Sequence, residues 1–476
     1  MQFLFDFLGQ FVGGPANAFM VVVALLKIAL ILGGVLQVVP FIILFERKII
    51  SWVQDRPGPN RAGPWGVLHG ILDGAKLFFK ETITPAGVDK SLYLLAPVIV
   101  VIPAFVALCL VPVGPIIEGS HLAALGSFFG LDPQMVGPTG QINSIAFAIT
   151  NPNVGILYVL AITSVGVYGI TLAGWASNNK WSLLGGIRAS AQMISYEITL
   201  SLAIICAILL SGSLNLYAII ESQTAPMGES VNLLAFLHWH VFAAPVAFLL
   251  FIVAMFAETN RVPFDLAEAE PELTGGFHTE YSSMRFALFF LAEYVNMIIV
   301  SAMCSTLFLG GYLGPVTLNW EAWAVWASEL VAPQTNGLYP IVLIVGYLVG
   351  PALIFPAKIA FFLFLFIFAR ATLPRLRYDQ LMNLGWKQLL PIGLVNFVLV
   401  AVTVGIDLAI RAGMEGGLEV NDKMLLSSKL TLGAVSLALL IAYDRLVLTR
   451  GRQKQLTTEY RGLGARRDYP TPFMAS

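Results

Sequence analysis

The chain has 476 residues, of which 57% are hydrophobic and only 12% charged, with a net charge of -1 and a mean hydropathy of +0.80. A soluble domain carries about twice that share of charge, so composition excludes an ordinary soluble enzyme and predicts an integral membrane protein. The three cysteines, Cys109, Cys206 and Cys304, lie far apart in apolar stretches and read as small buried hydrophobes, with neither a disulfide framework nor metal-ligand spacing. The first residues, MQFLFDFLGQF, lack a basic segment, so a cleaved signal peptide is not expected.

A spanning helix needs about 20 mostly apolar residues. Nine such stretches occur, at 18–45, 91–113, 153–176, 189–212, 236–258, 284–309, 339–369, 389–410 and 426–448. Their length favours helices over barrel strands, which alternate in short segments. The predicted class is an all-α polytopic membrane protein. Lys and Arg gather in alternate connections. Arg47, Lys48, Arg56, Arg61, Lys76, Lys80 and Lys90 follow the first stretch. Lys180 and Arg188 follow the third, Arg261 the fifth, and Arg370, Arg375, Arg377 and Lys387 the seventh. The intervening loops 114–152, 213–235 and 310–338 contain neither residue. By the positive-inside rule the N-terminus is outside, and the charged loops and basic tail are cytoplasmic. The outer loops, rich in Gly, Pro, Ser and Asn, read as irregular connections.

Taken in chain order, Lys27 stands alone in the first span, as a counter-charge or a side chain reaching outwards. Next comes ERKIISWVQDRPGPNR, Glu46–Arg61, where Pro57, Gly58 and Pro59 force a tight turn among Glu46, Arg47, Asp55, Arg56 and Arg61. That density of charge around a rigid turn reads as a built interface or a ligand mouth, although Lys48 alone reads as a membrane anchor. Gly63–Glu81 is too short and polar to span. Its Trp65, Leu68, Ile71, Leu72, Leu77 and Phe78 recur at three- and four-residue steps, with Asp73, Lys76, Lys80 and Glu81 between them. It predicts a helix in the membrane interface or packed on neighbouring protein.

Carboxylates at or inside a bilayer are costly and by default functional. Ala257–Tyr281, AETNRVPFDLAEAEPELTGGFHTEY, holds Glu258, Asp265, Glu268, Glu270, Glu272 and Glu280, which Arg261 alone cannot neutralise. Mutual repulsion there raises proton affinity, as a proton store or relay requires; the alternative is a solvated acidic loop. Glu197 and Glu293 lie within apolar spans and Glu258 near a span end. Tyr196, Thr259, Tyr294 and Asn296 are close enough in sequence to hydrogen-bond them. Proton handling or a buried structural carboxylate are the two readings. Finally, RATLPRLRYDQLMNLGWK, Arg370–Lys387, reads as a basic membrane anchor or a dock for an acidic partner. No phosphate loop, dinucleotide fingerprint, CxxC cluster or haem-type histidine pair is visible, so the chain is expected to hold no redox centre of its own. His238 and His240 give only a weak metal hint, and no metal site is expected.

Together ERK…QDRPGPNR, AETNRVPFDLAEAE…EY and RATLPRLRYDQLM…GWK resemble the H subunit of bacterial proton-pumping NADH:quinone oxidoreductase, respiratory complex I, whose mitochondrial counterpart is NADH dehydrogenase subunit 1. The resemblance runs from about residue 18 to 410. It implies a membrane core over 1–410 with a quinone tunnel, and over 411–476 an extra helix and a basic tail, since the family core has eight spans. It implies a subunit of a proton translocase, inactive alone, in the bacterial cytoplasmic membrane. Quinone, ubiquinone or menaquinone, is then the substrate, reduced on a neighbouring subunit, with no FMN or iron–sulfur cluster in this chain. Other complex I subunits are the implied partners, above all the quinone-site hydrophilic subunits and the small membrane subunits; nucleic acid is not. By resemblance Glu46, Arg47, Arg56, Asp73, Lys76, Arg261, Glu268, Glu270 and Glu272 belong to the tunnel and its loops. Glu197, Glu258, Glu280 and Glu293 belong to an acidic route into the membrane arm. Pro271 departs from the family pattern, standing where a Ser is usual. A standalone ion transporter using the same acids, or a related hydrogenase subunit lacking quinone, are the competing readings.

Overall fold

A computed structural model describes residues 15–118, 144–224, 235–266, 275–315, 339–414, 428–443 and 445. The first apolar stretch continues into the charged segment as one helix, α1 (Pro15–Val53). At about 1.5 Å per residue that helix outruns a bilayer core and carries Glu46 and Arg47 near its C-terminal end. The chain then turns through a short 3-10 segment, Pro64–Gly66, into α2 (His69–Phe79). Positive φ at Trp65 (61°) and Gly66 (77°) makes the turn. No residue of α2 is buried, and Trp65, Ile71, Leu72, Phe78 and Phe79 lie exposed, as do Phe45 and Trp52 of α1. The amphipathic helix expected over 63–81 is therefore present, eleven residues long.

The body comprises α3 (Lys90–Leu108), α4 (Gly155–Ala176), α5 (Lys180–Ser211), α8 (Pro245–Glu258), α9 (Ser283–Phe308), α10 (Tyr339–Thr372), α12 (Leu390–Met414) and α13 (Ser428–Tyr443). Three shorter helices lie between them: α6 (Leu216–Ser222), α7 (His240–Ala243) and α11 (Tyr378–Leu384). Among the described residues seven helices are long and apolar enough to cross a membrane, and α8 and α13 are shorter. The chain is an all-α polytopic membrane protein. Helix α9 is the centre: nearly every side chain from Tyr294 to Phe308 is buried, as expected of a helix apolar all round. It contacts α3, α8 and α10, while α5 joins α4, α8 and α12.

Four expectations need correction. The stretch 236–258 is not one span: Ala244 leaves the helical region (φ -133°, ψ 64°), Pro245 starts α8 afresh, and α8 has only 14 residues, about 21 Å against a core of about 30 Å. The stretch 389–410 is part of a longer rod: α11 runs into α12 through a π-helical turn, Gly385–Leu389, where the Tyr196 hydroxyl donates to Leu381 O at 2.9 Å. The outer loop 114–152 is not wholly irregular. Ile116–Glu118 (β1) pairs antiparallel with Ser144–Ala146 (β2), Ile117 opposite Ile145. Lys27 pairs with no acid among the described residues; its ammonium donates to Ala146 O at 2.7 Å and Ala148 O at 3.2 Å, tying α1 to this hairpin. The ninth apolar stretch yields α13, which docks through Lys429, 2% exposed, whose ammonium donates to Ser222 O and His238 O at 3.3 Å each.

Two glycines set how closely α2 and its turn approach the rest. A Cβ on Gly66 would stand 2.4 Å from Pro59 O, and one on Gly70 2.6 Å from Pro40 Cβ of α1, whereas Gly74 has nothing within 4 Å. Gly70→Val is therefore expected to destabilise the protein by about 1–3 kcal/mol through overpacking. Gly74→Ala, one helical turn on, should leave stability unchanged or raise it by about 1 kcal/mol through helix propensity. Thermal unfolding of the purified protein compares them, and equal losses at both positions would contradict this packing.

Candidate functional site: a buried ion cluster beside an acidic cavity

The chain after α8 is held before it is charged. Gln192 of α5, fully buried, donates from Nε2 to Ala257 O (2.9 Å) and Phe264 O (2.7 Å), giving partners to carbonyls at and beyond the helix end. Leu376 N donates to Pro263 O at 3.1 Å, fastening the same loop to the chain following α10. Arg261 is thereby fixed in the interior, 4% exposed.

Removing a guanidinium from water costs several kcal/mol unless charge and hydrogen bonds compensate. Here α1 and α9 supply the compensation. Arg261 Nη1 is 3.3 Å from Glu46 Oε1, and Arg261 Nε is 2.7 Å from Glu293 Oε1. Its carbon Cζ lies 4.4 Å from the centre of the Tyr294 ring, a cation–π contact. The Tyr294 hydroxyl donates to Glu46 Oε2 at 2.6 Å, and Arg370 of α10 donates to Glu46 Oε1. The cluster joins α1, the α8 loop, α9 and α10, with two acids and two guanidinium groups. Burial works against the Arg261 cation, but Glu293, Tyr294 and Glu46 outweigh it and hold its proton affinity above the ordinary value. Arg375 Nη2 makes a parallel contact, 3.1 Å from Asp265 Oδ2, with Asp265 buried.

Behind the cluster lies a cavity of about 80 Å³ between α3, α4, α5, α8 and α9, room for a few waters. Glu258, Thr259, Asn260, Glu293, Asn296, Thr163 and His278 supply its polar lining. Glu258 Oε2 is shut off from solvent and has no hydrogen-bond partner among the described residues. Glu197, on α5, lies within electrostatic range of Glu258. Glu293 thus belongs to both features, touching Arg261 and lining the cavity.

The expected site residues sort as follows. Glu46, Arg261 and Glu293 meet in the cluster, and Glu258 joins Glu293 at the cavity. Arg47 pairs with Asp73 at 2.7 Å, bridging α1 and α2. Lys76 and Arg56 are exposed. Glu280 does not line the cavity; its Oε1 accepts from Asn179 Nδ2 at 2.7 Å, at the N-terminus of α5. Glu268, Glu270, Glu272 and the Pro271 departure lie outside the described residues. Arg370 and Arg375 are not purely an anchor or an outward dock: they turn inward onto Glu46 and Asp265. The signal that could have found them is the short supply of cations. Arg261 alone could not neutralise the acids around it, so further arginines were needed inside. Among the described residues, no three His, Cys, Asp or Glu side chains gather as metal ligands.

Removing the Glu46 charge strands two arginines. Glu46→Gln is expected to cost about 3–5 kcal/mol of stability, as for a broken buried pair. The Arg47–Asp73 pair, with side chains 43% and 26% exposed, should show a coupling of only about 0–1 kcal/mol in a double-mutant cycle. Unfolding measurements decide both, and a Glu46→Gln loss no larger than the Arg47–Asp73 coupling would contradict the cluster's role.

Known proteins bear on this arrangement. Residues 26–401 match the family model described as NADH dehydrogenase. The NADH-quinone oxidoreductase H subunit numbered 1 in Geobacter sulfurreducens is 43% identical over 381 residues, covering 80% of this chain and 94% of that relative. The H subunit numbered 2 in Koribacter versatilis is 41% identical over 391 residues, covering 82% and 99%. The H subunit numbered 1 in Solibacter usitatus is 40% identical over 419 residues, covering 80% and 96%. The chain belongs to the NADH dehydrogenase family, among the H subunits of NADH-quinone oxidoreductase.

Proposed function

We propose that this subunit admits quinone along the inner end of α1 and α2, and that Arg261 relays the charge change of quinone reduction to the acidic cavity. The observation that carries the proposal is that one buried guanidinium touches Glu46 on one side and Glu293 on the other. The Glu46 side adjoins Arg47, Asp73 and the exposed apolar surface of Phe45, Trp52, Ile71 and Leu72, which suits an apolar tail with a polar headgroup. The Glu293 side opens on Glu258 and the cavity.

Quinone becomes quinol by gaining two electrons and two protons. Negative charge gathered on the headgroup draws on the cations around Glu46 and changes Arg261's share in Glu293. A unit charge about 4 Å away is worth about 4 kcal/mol at an effective dielectric near 20, enough to move a carboxyl's proton affinity by about three pK units at about 1.4 kcal/mol each. Glu293 then takes up or yields a proton, with Glu258 and Glu197 as the next carriers. The tunnel group includes the exposed Arg56 and Lys76, at the mouth where hydrophilic partner subunits dock; by resemblance Glu268, Glu270 and Glu272 belong to the same group. The alternation of basic loops supports placing these loops on the cytoplasmic side, and the bacterial relatives support a bacterial cytoplasmic membrane. The substrate class is a membrane quinone, ubiquinone or menaquinone.

Glu258→Gln and Glu293→Gln should each lower coupled quinone reduction in the assembled complex by about tenfold or more, because an amide carries no proton. Unchanged turnover and pumping in both variants would remove the proton role. Arg47→Ala or Asp73→Ala should raise the KM for quinone while NADH oxidation by an artificial acceptor stays intact; loss of both activities would point to failed assembly.

A further inference from the structure

Among the described residues three titratable side chains line the cavity: Glu258, Glu293 and His278. The first two already serve the relay from Arg261. His278 ends a 3-10 turn, Gly276–His278, between the acidic segment and α9. That turn is built to one position. A Cβ on Gly185 of α5 would stand 2.6 Å from Gly276 Cα, so the two backbones are in contact. Ser182 Oγ donates to Phe277 O at 2.9 Å, and Thr279 Oγ1 donates to Gly276 O at 2.7 Å.

The His278 ring is walled edge-on by three phenyl rings, with centres 5.1 Å away for Phe277, 5.4 Å for Phe286 and 6.1 Å for Phe290. Phe277 and Phe290 also line the cavity. The imidazole is only half-buried. It is therefore a cavity-lining titratable group that is also reached by solvent, with an apolar collar around it. Nearby charges are Glu258 of α8 and Glu293 of α9 in the cavity, Glu197 of α5 beyond Glu258, and Glu280, held by Asn179.

We infer that His278 exchanges protons between water on the charged-loop side and the Glu258–Glu293 cavity, a role that rests on reading the cavity as a proton chamber. The chemistry balances. Neutral imidazole accepts a proton from outer water at one ring nitrogen, becoming imidazolium. It releases the proton on its other nitrogen to a cavity water and so to a carboxylate, and regains its starting form by tautomer exchange or ring rotation. The phenyl rings beside it are apolar and carry no exchangeable proton, so in this wall of the cavity the imidazole is the group able to pass one.

The test uses the whole complex in proteoliposomes. His278→Phe keeps an aromatic ring in the collar and removes the proton carrier; His278→Ala opens space that free imidazole can enter. Both are compared with Glu293→Gln, with co-purification of the partner subunits as the check on assembly. The expected result is quinone-linked turnover lowered about tenfold in both His278 variants, within the range of a lost proton-transfer group, and added imidazole restoring His278→Ala but not His278→Phe. A wild-type rate in His278→Phe overturns the inference. If Glu293→Gln is then slow, the chamber survives without this entrance; if Glu293→Gln is also unaffected, the chamber reading falls too. A slow His278→Ala that imidazole does not rescue assigns the ring a packing role and also overturns the inference.

Discussion

A guanidinium buried inside a membrane protein is the constraint on which the rest of the arrangement depends. Arg261 gives up its water, and the cost is met only where two carboxylates and a tyrosine ring meet it at once. Meeting it requires α1 to bring Glu46, α9 to bring Glu293 and Tyr294, and α10 to bring Arg370. The fold is in this sense assembled around a charge balance: four segments separated by long stretches of chain converge where none could be left alone. Gln192 completes the requirement by fixing the backbone that carries Arg261.

The same convergence gives the site two faces. Consecutive residues on a helix are set about 100° apart, and Glu293 and Tyr294 use that turn. Tyr294 donates to Glu46, on the side of α1 and the amphipathic helix α2, while Glu293 lines the cavity with Glu258. Arg261 contacts both residues, so whatever alters the field at Glu46 alters the environment of Glu293 without a large movement. The proposed relay would need only a redistribution of contacts within a fixed cluster, which suits a close-packed interior.

Much of this was legible in the residues. Apolar runs marked the spanning helices, because a run of some twenty apolar residues has few other uses. Glu46, Arg261, Glu258 and Glu293 stood out because charges are rare in such a chain. The amphipathic spacing of 63–81 pointed to α2. Other features depended on tertiary contacts. Arg370 ends an apolar helix and Arg375 follows it, and both look like surface anchors until α10 is placed against α1 and the α8 loop. Lys27 looks like a membrane counter-charge until the β1–β2 hairpin offers it two carbonyls. The shortness of α8 follows from one backbone break at Ala244, to which hydropathy is blind. The Asn179 partner of Glu280 is likewise remote in sequence and became visible only in the fold.

If Arg261 transmits charge between the Glu46 face and the Glu293 face, its two-sided reach is what coupling depends on. The most direct measurement is the number of protons translocated per NADH oxidised by complex carrying Arg261→Lys, reconstituted in sealed vesicles. A lysine keeps the positive charge but cannot reach both acids with separate nitrogens. Quinone should still be reduced while the proton ratio falls well below wild type. A wild-type ratio in the assembled variant would contradict transmission through Arg261.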